Sequence, residues 1–98
     1  MPEDPVRVAS NVYKALLEND QVRVLEFRIK PGDKTAMHAH PDLVAITVRG
    51  GKVKFTAPNG ESAEADLPED SVMFFGATEH TTENVGTSEA SGFLIELK

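Results

Sequence analysis

The chain of 98 residues has no cysteine. Disulfides, a thiolate metal site and a cysteine nucleophile are therefore excluded. No apolar run approaches the roughly 18 residues that a membrane-spanning helix requires. The opening residues Met1-Pro2-Glu3-Asp4-Pro5 carry neither the basic nor the apolar region of a secretory signal. A cytoplasmic location with no membrane partner is expected. Positive charge is scarce as well: 10 Lys and Arg face 16 Asp and Glu, for a net charge of −6. The basic residues are scattered singly, which argues against nucleic acid as a partner, because phosphate-binding surfaces gather them on one face. Ser10, Ser62, Ser71, Ser88 and Ser91 lack a nucleophile-elbow context, so no Ser-His-Asp hydrolase is expected. Helix is nearly missing too. Only Lys14 to Asn19 could form one, and a stretch so short needs tertiary support; it reads as a strand entering a hairpin at Asn19-Asp20.

What is present is punctuation. Asn19-Asp20, Pro31-Gly32-Asp33, Gly50-Gly51, Asn59-Gly60, Pro68-Glu69-Asp70, Gly76 and Val85-Gly86 break the chain at short intervals. Breaks at roughly 8–12-residue spacing suggest many short strands in a sandwich or barrel. Asn59-Gly60 predicts a hairpin with a type I′ turn, and Gly50-Gly51 a second hairpin. Between the breaks the runs alternate: Val44, Ile46 and Val48; Val53 and Phe55; Phe93, Ile95 and Leu97. Period-two patterning marks strands with one face on a core. Val22–Ile29 changes phase midway, implying a bulge or a strand covered on both faces, for example by a second subunit. Residues 61–69 read as an exposed edge strand. Residues 1–98 are expected to form one domain, with residues 1–10 as a loosely held arm.

The chain has three histidines, His38, His40 and His80. The first two are two apart in a strand-like segment and so share a face. Their parity continues as Val44, Ile46 and Val48, which points them into the protein. His80 shares parity with Thr82 and Asn84. Were its strand beside the first, three imidazoles would converge, as a metal needs, leaving positions for water or substrate. The alternative is three structural histidines with no metal, hydrogen-bonded to offset desolvation; Asp42, Thr82 and Asn84 are the candidate partners.

The segment Gly32-(five)-His38-Ala39-His40-(three)-Val44-(six)-Gly51 resembles the first motif of the cupin superfamily, with Val44 where that motif has glutamate. His80 and Asn84 resemble the end of the second motif, whose Gly, Pro and Gly fall on Glu69, Phe75 and Ala77. The resemblance spans residues 32–84 and is similar to small single-domain bacterial cupins. It implies an all-β cupin-type jelly-roll barrel, often dimeric, with one divalent transition metal (Fe, Zn, Mn, Ni or Cu) on His38, His40 and His80. Thiol dioxygenases of the superfamily use such a three-His site for iron. Without the glutamate, the metal would keep a full +2 charge, which favours an anionic ligand and acidifies bound water. Asp42 is a further candidate, as ligand or as a carboxylate orienting an imidazole; Glu79, of opposite parity to His80, is expected in solvent.

Of the remaining residues, Phe74 and Phe75 are expected to pack, one inward and one against a partner chain. Met37 and Met73 are expected in core or interface. Tyr13 could be an acid or a dimer contact. Arg23, Arg28 and Arg49 read as solvated surface. The functional expectation is a homodimeric metal-dependent enzyme, oxygenating a small anionic organic molecule ahead of isomerising one. The alternatives are a non-catalytic metal- or ligand-binding module and a metal-free barrel.

Overall fold

The fold was read from a computed structural model that describes residues 3–98. The short strands expected from the turn signals are present. They are β1 (Tyr13–Glu18), β2 (Val22–Ile29), β3 (His38–His40), β4 (Leu43–Arg49), β5 (Gly51–Thr56), β6 (Ser62–Leu67), β7 (Ser71–Phe75), β8 (Thr78–Asn84) and β9 (Ala90–Leu97). A five-stranded sheet, ordered β1-β2-β9-β4-β7, faces a four-stranded sheet, ordered β3-β8-β5-β6, in a jelly-roll arrangement. Leu25, Phe27, Ile29, Leu43, Ala45, Leu94 and, from the opposite sheet, Val53 are buried between them.

The alternation was legible, but its direction was not always. In β4 the buried residues are Leu43, Ala45 and Thr47, whereas Val44 and Ile46 are half-buried and Val48 is exposed. In β9, Leu94 and Glu96 are buried while Phe93 and Ile95 are half-buried. The cause in β4 is the Pro41-Asp42 corner. β3 lies in one sheet and β4 in the other, so parity does not carry across. The five-stranded sheet therefore has apolar residues on both faces. The phase change in β2 has the same origin, because Val24 is outward opposite Ile95 while Leu25, Phe27 and Ile29 are inward. The β2–β9 ladder is regular, and the bulge sits instead in β1 between Ala15 and Leu17.

Two turns also differ from expectation. β5 and β6 do form a hairpin around Asn59-Gly60, but only Gly60 has positive φ (90°). Pro58 and Asn59 occupy the central positions of a turn closed by the Gly60 amide on the Ala57 carbonyl, 2.9 Å, which is type I-like chemistry with a following left-handed glycine. Gly50-Gly51 makes no hairpin: β4 and β5 belong to different sheets. There the chain crosses between sheets so closely that a Cβ on Gly50 would stand 2.2 Å from the Leu67 carbonyl oxygen and 2.9 Å from the Glu69 nitrogen. Both obstacles are backbone. Gly50→Ala is accordingly expected to cost about 1–3 kcal/mol through forced displacement, lowering the melting temperature by about 4–8 °C per kcal/mol. An unchanged melting temperature would show that the crossing can relax.

The stretch expected as a loose arm carries a helical turn and contacts to the body of the fold over its described part, residues 1 and 2 lying outside it. Asp4 caps a helical turn, α1 (Pro5–Val8), by accepting from the Val6 amide at 2.9 Å. Pro5 and Ala9 are buried, and the Ala39 amide donates to the Glu3 carbonyl at 2.9 Å. Short residues with a cap and a proline at the first helical position can dock without a long apolar run.

Candidate metal centre

The three histidines meet. β3 and β8 pair antiparallel with His38 opposite His80 and His40 opposite Thr78, so all three side chains lie on one face of the sheet. Ring centroids are 4.8 Å apart for His38–His40, 4.9 Å for His38–His80 and 5.5 Å for His40–His80. One ligating nitrogen from each lies within 4.8 Å of the others. His38 and His40 are buried and His80 half-buried. The inward orientation matches the expectation, although the parity with Val44 that suggested it does not hold.

Each ring of the first strand is held by its Nδ1. That of His38 is 2.9 Å from the Ala36 carbonyl and 3.3 Å from the Thr35 hydroxyl. That of His40 is 2.7 Å from Glu96 Oε2. Such anchoring leaves the opposite nitrogen free to ligate and fixes the ring's aim. Nε2 of His38 and Nε2 of His80 are buried with no hydrogen-bond partner. The His80 ring stacks on Phe55, with centroids 4.8 Å apart and planes 23° apart. Tyr13 is buried and stands edge-on to His38 and His40 at 5.0 and 5.4 Å.

Burial keeps two of the three rings, His38 and His80, uncharged. Desolvation, with the neighbouring His40 adding to it, pushes His38 down to about 4. Desolvation followed by His38 and His40 pushes His80 down to about 3. Both are neutral at pH 7, with lone pairs available. Burial lifts the Tyr13 phenol to about 12, so it stays protonated. Orphaned buried nitrogens on His38 and His80, with the His38 and His40 rings anchored through Nδ1, fit a divalent transition metal.

Behind His40 lies a charged group that the sequence reading missed. Glu96 sits directly opposite Arg23 in the β2–β9 ladder. Its Oε1 accepts from Arg23 Nε at 2.9 Å and lies 2.8 Å from Nη2, while Arg23 Nη1 donates to Asp4 Oδ2 at 2.9 Å. The Glu96 side chain is 3% exposed and that of Arg23 14%. Arg23 is thus no solvated surface charge, and Glu96, not Asp42, is the carboxylate that orients an imidazole. The missed signal was parity: Arg23 keeps phase with Leu25 and Phe27, and Glu96 with Leu94.

The other candidates sort plainly. Asp42 is exposed; its Oδ1 accepts from the Ala77 amide at 2.8 Å and its carbonyl from the Leu97 amide at 2.9 Å, tying the corner to the β7–β8 turn. Asn84 donates to the carbonyls of Ile29 and Ser88, both at 2.9 Å, pinning the end of β8 and not a histidine. Glu79 is exposed, as expected. Val44 is outward, opposite Ile95 and Phe74, and its neighbour Ala45 is inward; neither position offers a carboxylate. Phe74 is 62% exposed on the outer face, while Phe75 turns in.

A cavity of about 450 Å³ opens from His40 and His80 and is lined among others by Tyr13, Phe27, Leu43, Ala45, Phe75 and Leu94. Its rim includes the exposed turn Gly76-Ala77-Thr78.

No family model matches the chain, and no curated protein matches it in sequence. Solved structures do. A cupin domain from Bordetella pertussis Tohama I is 27% identical with a TM-score of 0.79, over 89% of this chain and 92% of that one. An RmlC-like cupin family protein with a double-stranded β-helix fold from Methanocaldococcus jannaschii is 14% identical with a TM-score of 0.67, over 88% of this chain and 78% of that one. A cupin superfamily protein from Desulfitobacterium hafniense DCB-2 is 19% identical with a TM-score of 0.63, over 88% and 75%.

Proposed function

We propose that this chain, with a cupin-type fold and three converging histidines of which His40 and His80 face a pocket, binds one divalent transition metal through His38, His40 and His80 and transforms a small organic molecule there. The carrying observation is the pair of buried Nε2 atoms, on His38 and His80, that have no partner within the protein. A bound metal supplies Lewis acidity and, where redox-active, the means to activate dioxygen. A neutral three-nitrogen set leaves its charge uncompensated, so it favours an anionic donor atom on the substrate.

Oxygenation is the better reading than isomerisation. Moving a proton between carbons needs a general base or acid poised near the working pH. Among the described residues, no Asp, Glu or Lys lines the cavity. The Tyr13 phenol, held protonated, can donate a hydrogen bond but not accept a proton from substrate at pH 7. The reading includes a homodimer, supported by apolar side chains on the outer face of the five-stranded sheet: Val72 and Phe74 are 69% and 62% exposed.

Metal analysis of protein purified without chelator or a nickel column tests the site. About one equivalent of metal is expected in the native chain and none in folded His38→Ala or His80→Ala. Iron, with oxygen uptake on addition of substrate candidates, supports the oxygenase. Stoichiometric zinc with no turnover moves the reading to a binding module. Full metal retention in both variants, or no uptake of Fe(II), Zn(II), Mn(II), Ni(II) or Cu(II) by the native chain, overturns it.

A further inference from the structure

Resting on that metal site, we infer that the cavity selects a flat, apolar organic molecule that is polar only at the atom it presents to the histidines. Four of the chain's six aromatic residues (five Phe and one Tyr) line the cavity: Tyr13, Phe27, Phe55 and Phe75. Aliphatic side chains such as Ile29, Leu43, Val53 and Leu94 complete the wall. Apart from the histidines, the polar side chains there are the Tyr13 phenol and the hydroxyls of Thr47, Thr78 and Thr82. No cation among the described residues reaches the lining; Arg23, the buried one, is spent on Glu96 and Asp4. A carboxylate, phosphate or ammonium on the body of a ligand would be desolvated there with nothing to offset it. A ring system loses nothing and meets aromatic edges and faces at stacking distance. The Phe55–His80 stack makes one side of the wall planar beside a proposed ligand nitrogen. The size agrees, because about 450 Å³ is near the low end of small-molecule pockets and suits one or two fused rings. Ala45, buried on β4 at the wall, leaves space that a larger side chain would fill.

The test uses 2-naphthol, an uncharged two-ring probe with one oxygen, against succinate, a polar dianion. Fluorescence titration is made with metal-free protein, and calorimetry with protein incubated with Zn(II), which cannot turn the probe over. The expected result is saturable 2-naphthol binding at least tenfold tighter than succinate in both preparations, tightened further by zinc. Ala45→Phe should weaken 2-naphthol at least tenfold. Ala77→Trp, on the exposed rim where folding is not at stake, should weaken it too. Succinate binding as tightly as 2-naphthol, or 2-naphthol binding unchanged in both variants, overturns the inference. The two readings fail separately. Zinc bound with no 2-naphthol binding removes the ligand class and leaves the metal site. Binding of 2-naphthol that zinc leaves unchanged, with no zinc taken up, removes the metal and leaves the apolar pocket.

Discussion

Glu96→Ala is expected to destabilise the protein by about 3–5 kcal/mol, the usual result of removing one partner from a buried ion pair. The loss is large because Glu96 serves two groups at once. Its Oε1 meets the Arg23 guanidinium at 2.8–2.9 Å and its Oε2 meets His40 Nδ1 at 2.7 Å. Without it, a guanidinium 14% exposed keeps only Asp4, and a buried imidazole loses its anchor. Thermal unfolding should register a fall of about 12–40 °C. On the proposed metal site, zinc affinity should also fall by about 10–100-fold, because His40 is no longer fixed in aim or tautomer. The double variant Arg23→Met with Glu96→Leu separates the two effects. Replacing both charges with apolar groups should recover much of the stability, whereas the affinity should stay low. A single variant that melts within a few degrees of the native chain would show the pair to be solvated and irrelevant to the fold.

Metal-free protein should lose stability as pH falls from about 6.5 toward 4. His38 and His80 sit near 4 and 3 in the folded chain against 6.5 when unfolded. Between these values the unfolded chain takes up protons that the folded chain refuses, so stability rises with pH through the window and levels off above 7. The loss is on the order of 4 kcal/mol once solvent screening of the half-buried His80 is allowed for, or about 15–30 °C in melting temperature. Asp4, held below its ordinary range chiefly by its hydrogen bond from Arg23, adds its share only at more acidic pH. Melting curves of chelator-treated protein at pH 7, 5.5 and 4 would show this, and His80→Leu should shrink the drop. Equal melting temperatures at pH 7 and 4 would mean that the imidazoles reach solvent.

The metal candidates were legible because a His-X-His pair in a strand has a forced geometry: residues two apart share a face wherever the strand lies. The spacing to His80 then needed only one pairing, β3 with β8. What could not be read was which face is inside. Val44, Ile46 and Val48 are more apolar than Leu43, Ala45 and Thr47, yet the second set is buried, because the Pro41-Asp42 corner carries the chain into the other sheet and the outer face of that sheet is itself apolar. Arg23 and Glu96 were hidden for a related reason. Each is unremarkable alone, and only the β2–β9 register makes them neighbours across 73 positions of chain. Gly50-Gly51 has the composition of a hairpin and the geometry of a crossing, and local sequence does not distinguish a chain turning back in its own sheet from one passing to another. The short N-terminal turn was missed because its anchors, Asp4 on Arg23, buried Pro5 and Ala9, and the Glu3 carbonyl on the Ala39 amide, are long-range contacts that a four-residue turn does not announce.

The Glu3–Ala39 hydrogen bond has a consequence for the lifetime of the site. β3 is three residues long and stands at the edge of its sheet, with β8 as its neighbour on one side. On its open side, the amide between His38 and His40 is held by the Glu3 carbonyl. The same N-terminal stretch supplies Asp4 to Arg23, whose other partner is Glu96. Release of residues 3–9 would therefore leave the strand carrying two imidazoles paired on its β8 side alone and loosen the carboxylate behind one of them in a single event. Such sub-global openings require far less free energy than unfolding the whole domain. How long a bound ion stays would then be set by the fraying of this clasp, and two proteins of equal global stability could differ widely in their rate of metal release.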